Sequence, residues 1–244
     1  MKKKTPTLTI ITICYNIKDE IERTCKSIID QTWQDFEWIV VDGGSTDGTV
    51  EILKKYANRI DVLISEPDKG IYNAMNKGIK LAHGEWLNFM NGGDCFAAND
   101  VLEKVFKDKE YNADVLYGDM RIQKKGEEVH INHYPNEVNK TYFKHGRIGH
   151  QAAFIKYDLF EKYGMYNEKY KIASDWEKWI IFTENNCVFQ HLDFIVCNFD
   201  VSGIGSKPSP LREYENTRII SEYFSVASRY RLFGFIPLLK IEEK

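Results

Sequence analysis

The sequence is poor in cysteine, and its five thiols, Cys14, Cys25, Cys95, Cys187 and Cys197, include no C-x-x-C pair. An odd set without that spacing excludes a disulfide framework and a thiolate zinc site, and it fits a reducing compartment. Long apolar runs are absent as well: no segment approaches the roughly 20 residues that a spanning helix needs. Residues 1–16, MKKKTPTLTIITICYN, have a basic head, but the apolar stretch is short, broken by threonines and lacks a small-residue cleavage site. They read as a buried strand, not as a signal peptide. Any membrane association is expected to be peripheral, which puts the protein in the cytoplasm, the inner face of the cell membrane included. Nor is there an excess of one charge: 33 basic and 36 acidic side chains are interspersed, with a net charge of -3. No broad electropositive face follows, so nucleic acid is not an expected partner. Internal repeats and low-complexity segments are missing too. What is present, 244 residues at 43% hydrophobic and 28% charged, suffices for one substantial core.

The first half alternates short apolar runs with helical patterns, as βαβ units around a parallel sheet do. Residues 8–13, 36–41, 62–65 and 86–90 read as strands. Between them Ile21, Cys25, Ile28 and Ile29 fall at helical spacing, as do Val50, Leu53 and Tyr56, and Ile71, Met75, Ile79 and Ala82. From about residue 115 the alternation loosens into a mixed sheet, with strands at 115–117, 129–132 and 152–155. Ser174-Asp175-Trp176-Glu177 matches a capping box that opens a helix with Asp175 at its first position. A strand at 194–200, a loop at 203–210, a helix and a tail follow.

Ligands of open parallel sheets sit beyond the carboxyl ends of the strands. Here those ends are polar: Cys14-Tyr15-Asn16, then 42–48 (DGGSTDG), 66–70 (EPDKG) and 91–94 (NGGD). Asp42, followed by glycines, is placed to project at the sheet edge and accept from a ribose or base N–H; equally, Ser45, Thr46 and Asp47 can cap the next helix. Asp68 opens a helix on which Asn73, Asn76, Lys77 and Lys80 share one side, facing either a ligand or water. Asp94 brings a lone carboxylate beside two glycines, adequate for magnesium when phosphate oxygens complete the shell; a plain turn is the alternative. A helix dipole keeps Asp175 ionised, as a base at neutral pH requires, or as an ordinary first-turn aspartate. His130, His133, His150 and His191 show no metal-ligand spacing, so zinc is not expected.

Taken together, these stations resemble family 2 glycosyltransferases, in particular bacterial polysaccharide enzymes of the colanic-acid type. The likeness rests on 9–16 (TIITICYN), 38–49 (WIVVDGGSTDGT), 65–79 (SEPDKGIYNAMNKGI), 91–94, His150-Gln151 and 172–177 (IASDWE), in order and spacing over roughly residues 5 to 206. It implies an α/β protein of GT-A fold, with a Rossmann-like, mostly parallel central sheet flanked by helices and a mixed acceptor-side region. The implied domain covers 1–210, with a nucleotide-sugar half at about 1–118 and an acceptor half at about 119–210; 211–244 forms a C-terminal helix and amphipathic tail. The implied enzyme takes a nucleoside diphosphate sugar, UDP-sugar ahead of GDP-sugar, uses Mg2+ or Mn2+, and transfers with inversion to a saccharide or lipid-linked acceptor. By the same likeness Tyr15, Asp42, Asp68 and Asn76 bind the nucleotide, Asp94 holds the metal and Asp175 is the general base. Asn91, His150, Gln151 and Trp176 belong to the sugar pocket. One departure is Gly93, where relatives often carry a second acid.

A sugar-phosphate nucleotidyltransferase would show a glycine-rich loop after strand one, and Cys14-Tyr15-Asn16-Ile17-Lys18 has no glycine. A non-catalytic binding relative is the alternative that the single acid at Asp94 motivates. The tail 229–240 (RYRLFGFIPLLK) mixes cations with large apolar residues, which suits a membrane surface, the protein's own core or a homodimer partner.

Overall fold

The structure, a computed structural model, describes residues 5–124, 126–201 and 209–224. The chain divides into two compact units, Met1–Lys207 and Pro208–Lys244. In the first, β1 (Leu8–Cys14), β2 (Phe36–Asp42), β3 (Val62–Ser65) and β4 (Trp86–Phe89) form a parallel sheet in the order β3-β2-β1-β4. The connections carry α1 (Ile21–Ile29), α2 (Thr49–Lys54) and α3 (Ile71–Leu81). β1 is buried along its whole length, and its threonines find partners inside. Thr9 Oγ1 donates to Glu37 Oε2 at 2.7 Å and accepts the Gly84 N–H at 2.8 Å, while Thr12 Oγ1 accepts the Trp38 indole N–H at 3.0 Å. Buried hydroxyls so satisfied cost little, and the branched side chains suit a strand. α3 rests directly on β1, because a Cβ at Gly78 would lie 2.5 Å from Ile11 Cγ2.

Beyond β4 the sheet becomes mixed. Its further elements are β5 (Cys95–Phe96), α4 (Val101–Phe106), β6 (Val115–Lys124), β7 (Glu127–Asn132), α5 (Lys140–Phe143), a 3-10 turn at His150–Ala152, β8 (Ala153–Lys156), α6 (Asp158–Tyr163), α7 (Ser174–Glu184) and β9 (Phe189–Asp200). The order continues β4-β8-β6-β9-β5, with β7 pairing to β6.

Several boundaries differ from expectation. β6 runs seven residues past 117 and β9 starts five before 194, because the two pair in parallel across register breaks at Gly118, Asp119 and Met120 that scramble the alternation. The division expected at 118 falls inside β6, at that break. The capping box is not formed: Ala173 is the N-cap of α7, and the Ser174 hydroxyl accepts the Asn167 N–H at 2.7 Å. Asp175 is therefore the second helical residue, not the first. The second unit contributes α8 (Pro210–Phe224). Most of the loop expected at 203–210 and all of the tail at 229–240 lie outside the described residues.

Candidate active site

β1 lies between β2 and β4, so the chain's winding reverses there and a crevice opens beyond the strand ends. Two loops hang from the end of β1: Gly43 N–H donates to Cys14 O and Gly92 N–H to Ile13 O, each at 2.9 Å.

On the β2 side, Asp42 does not project. It is fully buried, and its Oδ2 accepts from Gly44 N (3.1 Å), Ser45 N (2.9 Å) and Ser65 Oγ (2.7 Å), while Oδ1 takes the Ser45 hydroxyl and the Cys14 thiol. Burial would raise its pKa, but these bonds outweigh it and hold the carboxyl below its usual range. This corrects the expectation of a ligand-facing carboxylate: Asp42 organises the backbone of the loop. That loop also grips the β1 end, with Asn16 N donating to Ser45 Oγ at 2.8 Å and Thr46 N to Asn16 Oδ1 at 2.9 Å. Gly43 is itself buried, against Asp68 and Tyr15. A Cβ there would lie 2.6 Å from Asp68 Oδ2 and 3.3 Å from Tyr15 Cδ2, so Tyr15 and Asp68 border one small surface. Tyr15 is 61% exposed. Asp68 is oriented by the Gly70 N–H, which donates to its Oδ1 at 2.7 Å.

On the β4 side, Asp94 and Asp175 are joined through two adjacent residues of the 3-10 turn. Gln151 Nε2 donates to Asp94 Oδ2 at 2.8 Å, and His150 Nδ1 meets Asp175 Oδ2 at 2.8 Å. His150 Nε2 lies 2.9 Å from Asn91 Nδ2, which assigns the neutral imidazole its proton on Nδ1. Asp175 Oδ1 accepts the Tyr72 hydroxyl and the Trp176 N–H, both at 2.9 Å. The two carboxyls are tuned in opposite directions. Burial pushes Asp94 up to about 6 despite bonds from Gln151 and the Asp200 N–H. Burial acts on Asp175 too, but His150, Tyr72 and the Trp176 N–H hold it below the usual carboxylate range.

A divalent cation fits beside Asp94. Asp94 is a buried carboxylate whose desolvation is only partly offset by Gln151, the Asp200 N–H, His150 and Arg23, and a Cβ at the adjacent Gly93, where φ is +97°, would meet nothing nearer than Glu20 Cβ at 3.9 Å. One carboxylate plus substrate phosphate oxygens and waters is a sufficient shell. Among the described residues no group of three or more His, Cys, Asp or Glu could hold an ion. His133 and His191 instead converge on Asp119, at 2.6 and 3.1 Å.

Two expected site residues stand elsewhere. Asn76 is buried with its amide bonded to Tyr166 and Glu168, and Asn73 reaches Glu168 as well, so this part of α3 faces the 166–168 segment, while Lys77 pairs with Glu66 and Lys80 is exposed to water. Trp176 is buried; its indole N–H donates to Phe143 O at 2.7 Å, and the Arg147 guanidinium lies over its ring at 3.8 Å. Sequence reasoning missed Tyr72, although it sits inside the motif at 65–79, because a tyrosine at helical spacing reads as core. It missed Arg23 as well, whose Nη2 bonds Gly93 O and pairs with Asp200 Oδ2 at 3.2 Å. No local signal marks Arg23.

Comparison with known proteins gives the family and the fold. The model of a family described as Glycosyl transferase family 2 matches residues 9–183, which contain all the expected site residues. A PGL/p-HBAD biosynthesis glycosyltransferase of Mycobacterium tuberculosis is 31% identical over 204 residues, covering 81% of this chain and 78% of its own. Among solved structures, S. aureus TarS 1-349 in complex with UDP-GlcNAc superposes with a TM-score of 0.71 at 22% identity, over 94% of this chain and 73% of that one. The mannosyltransferase PcManGT from Pyrobaculum calidifontis, in complex with GDP-Man and Mn2+, gives 0.61 at 17% identity, over 96% and 76%. Both likenesses are of fold.

Proposed function

The chain belongs to glycosyltransferase family 2, and from that premise we propose that it transfers a sugar from a nucleoside diphosphate sugar with inversion at the anomeric carbon. A UDP-sugar is favoured over a GDP-sugar as donor. The acceptor is a saccharide or lipid-linked saccharide of surface polysaccharide biosynthesis. The observation that carries the reading is the Asp94–Gln151–His150–Asp175 connection, which holds one carboxylate suited to a cation and one suited to a proton within a single network.

In this reading the nucleobase stacks by the exposed Tyr15 ring and the ribose bonds Asp68, the two side chains that meet at Gly43. A divalent cation held by Asp94 and the donor phosphates would supply Lewis-acid stabilisation of charge on the departing diphosphate. The acceptor hydroxyl attacks the anomeric carbon from the face opposite that diphosphate. The new C–O bond forms as the bond to the diphosphate oxygen breaks, and Asp175 takes the hydroxyl proton. Asp175 is ionised and oriented before the acceptor arrives, and general-base catalysis by such a group contributes about 10²–10⁴ in rate. His150 keeps its proton on the nitrogen facing Asp175. No helix among the described residues is long and apolar enough to cross a membrane; cytoplasmic action on an acceptor at the inner membrane face accords with that.

Asp175→Asn is expected to bind UDP in calorimetry within about twofold of wild type while turnover drops by two orders of magnitude or more. Lost nucleotide binding, or an undiminished rate, counts against the assignment.

A further inference from the structure

Tyr72 belongs to the first turn of α3, immediately after the Asp68-Lys69-Gly70 turn that borders Gly43, yet its hydroxyl reaches across to Asp175 Oδ1 at 2.9 Å. Building on the proposed role of Asp175, we infer that Tyr72 is a positioning residue, which fixes the plane of the Asp175 carboxylate from the nucleotide side of the site. The carboxylate is gripped on both oxygens: Tyr72 and the Trp176 N–H hold Oδ1, and His150 holds Oδ2. Three different segments therefore define its orientation, and only Tyr72 comes from the half that carries Tyr15, Asp42 and Asp68.

The chemistry of the group favours positioning over proton transfer. Tyr72 is 4% exposed and its ring packs on Tyr166, with centroids 5.5 Å apart. Burial, and then the neighbouring Asp175 charge, raise its hydroxyl well above the ordinary range, so it stays protonated and donates at every working pH. The donor side of the bond is buried, so little water competes for the Tyr72 hydroxyl. Among the described residues, the titratable groups that act on Asp175 include Tyr72 on α3, His150 on the 3-10 turn and Tyr166 on the segment before α7; the Tyr166 hydroxyl is buried without a partner among them. Of the two tyrosines, then, only Tyr72 donates to the carboxylate, although both lie in the same aromatic stack.

Removing a donor to the ionised form raises the carboxyl's midpoint, so the base becomes protonated at a higher pH. The test is a titration of the full-length protein labelled with 13C at the aspartate carboxyls, with the Asp175 resonance assigned through Asp175→Asn. Tyr72→Phe, which keeps the ring, is expected to raise the Asp175 midpoint by about one pH unit, the size of a hydrogen bond to an ionised group. Tyr166→Phe is expected to leave it in place. Should Tyr72→Phe fail to fold, 3,5-difluorotyrosine at position 72, a stronger donor, is expected to lower the midpoint. A midpoint that moves with neither replacement overturns the inference. The outcomes separate from those of the parent reading: full turnover in Asp175→Asn removes the base but leaves the titration result standing. A silent titration alongside an inactive Asp175→Asn removes Tyr72 alone.

Discussion

The two sides of the crevice use aspartate in opposite ways. At the end of β2, Asp42 commits its hydrogen-bonding capacity to the loop around it and shows nothing to solvent. Beyond β4, Asp94 is left short of compensation and Asp175 is gripped yet still 20% exposed at its side chain. The β2 side is thus a loop that a buried carboxylate organises from within. The other side holds carboxylates with fewer donors, one of them partly exposed. Equal residue types at equal topological positions take different roles because their neighbours differ in how many donors they supply.

That contrast can be broken at either side. Asp42→Ala strands two half-buried backbone N–H groups and two hydroxyls, and it should cost about 2–4 kcal/mol of stability, read as a lowered urea midpoint. A loss under about 0.5 kcal/mol would mean that the loop does not depend on this carboxylate. Asp94 should behave in reverse. Its folded-state pKa lies above the unfolded value, so the folded protein binds the proton more tightly, and stability is lost as pH rises through about 4 to 6. Without metal at pH 7.5, Asp94→Asn is then expected to be more stable than wild type by roughly 2–3 kcal/mol, a gain that shrinks toward pH 4. Thermal unfolding at both pH values, with and without Mn2+ plus UDP, reads the difference; an Asn variant that is less stable at pH 7.5 contradicts the uncompensated charge. Asp175, whose pKa is lowered, contributes stability above its unfolded value that is lost as pH falls.

Much of this was legible in the sequence, unevenly and for physical reasons. The strands of the parallel sheet could be read because burial on both faces demands continuous apolar runs, and the polar stations could be read because the sheet exposes only its strand ends. Asp42 was identified as a site residue but not as an internal one, since its burial depends on Ser65 arriving from β3. Asn76 and Trp176 sit in motifs that point to ligands, yet their partners, Tyr166, Glu168 and Phe143, come from segments with no periodic signal. The register breaks between β6 and β9 hid seven of the ten residues of β6 and five of the twelve of β9. Tyr72 and Arg23 act through residues about 70 to 180 positions away, a relation that no local pattern carries.

The proposed convergence of Asp94 and Asp175 on one sugar carbon is tested most directly in a crystal. Crystals of the Asp175→Asn protein grown with Mn2+ and a UDP-sugar should show the anomalous manganese peak against Asp94, the nucleobase against Tyr15, and the anomeric carbon between positions 94 and 175. A manganese peak away from Asp94, or a sugar with its reactive face turned from position 175, would contradict it.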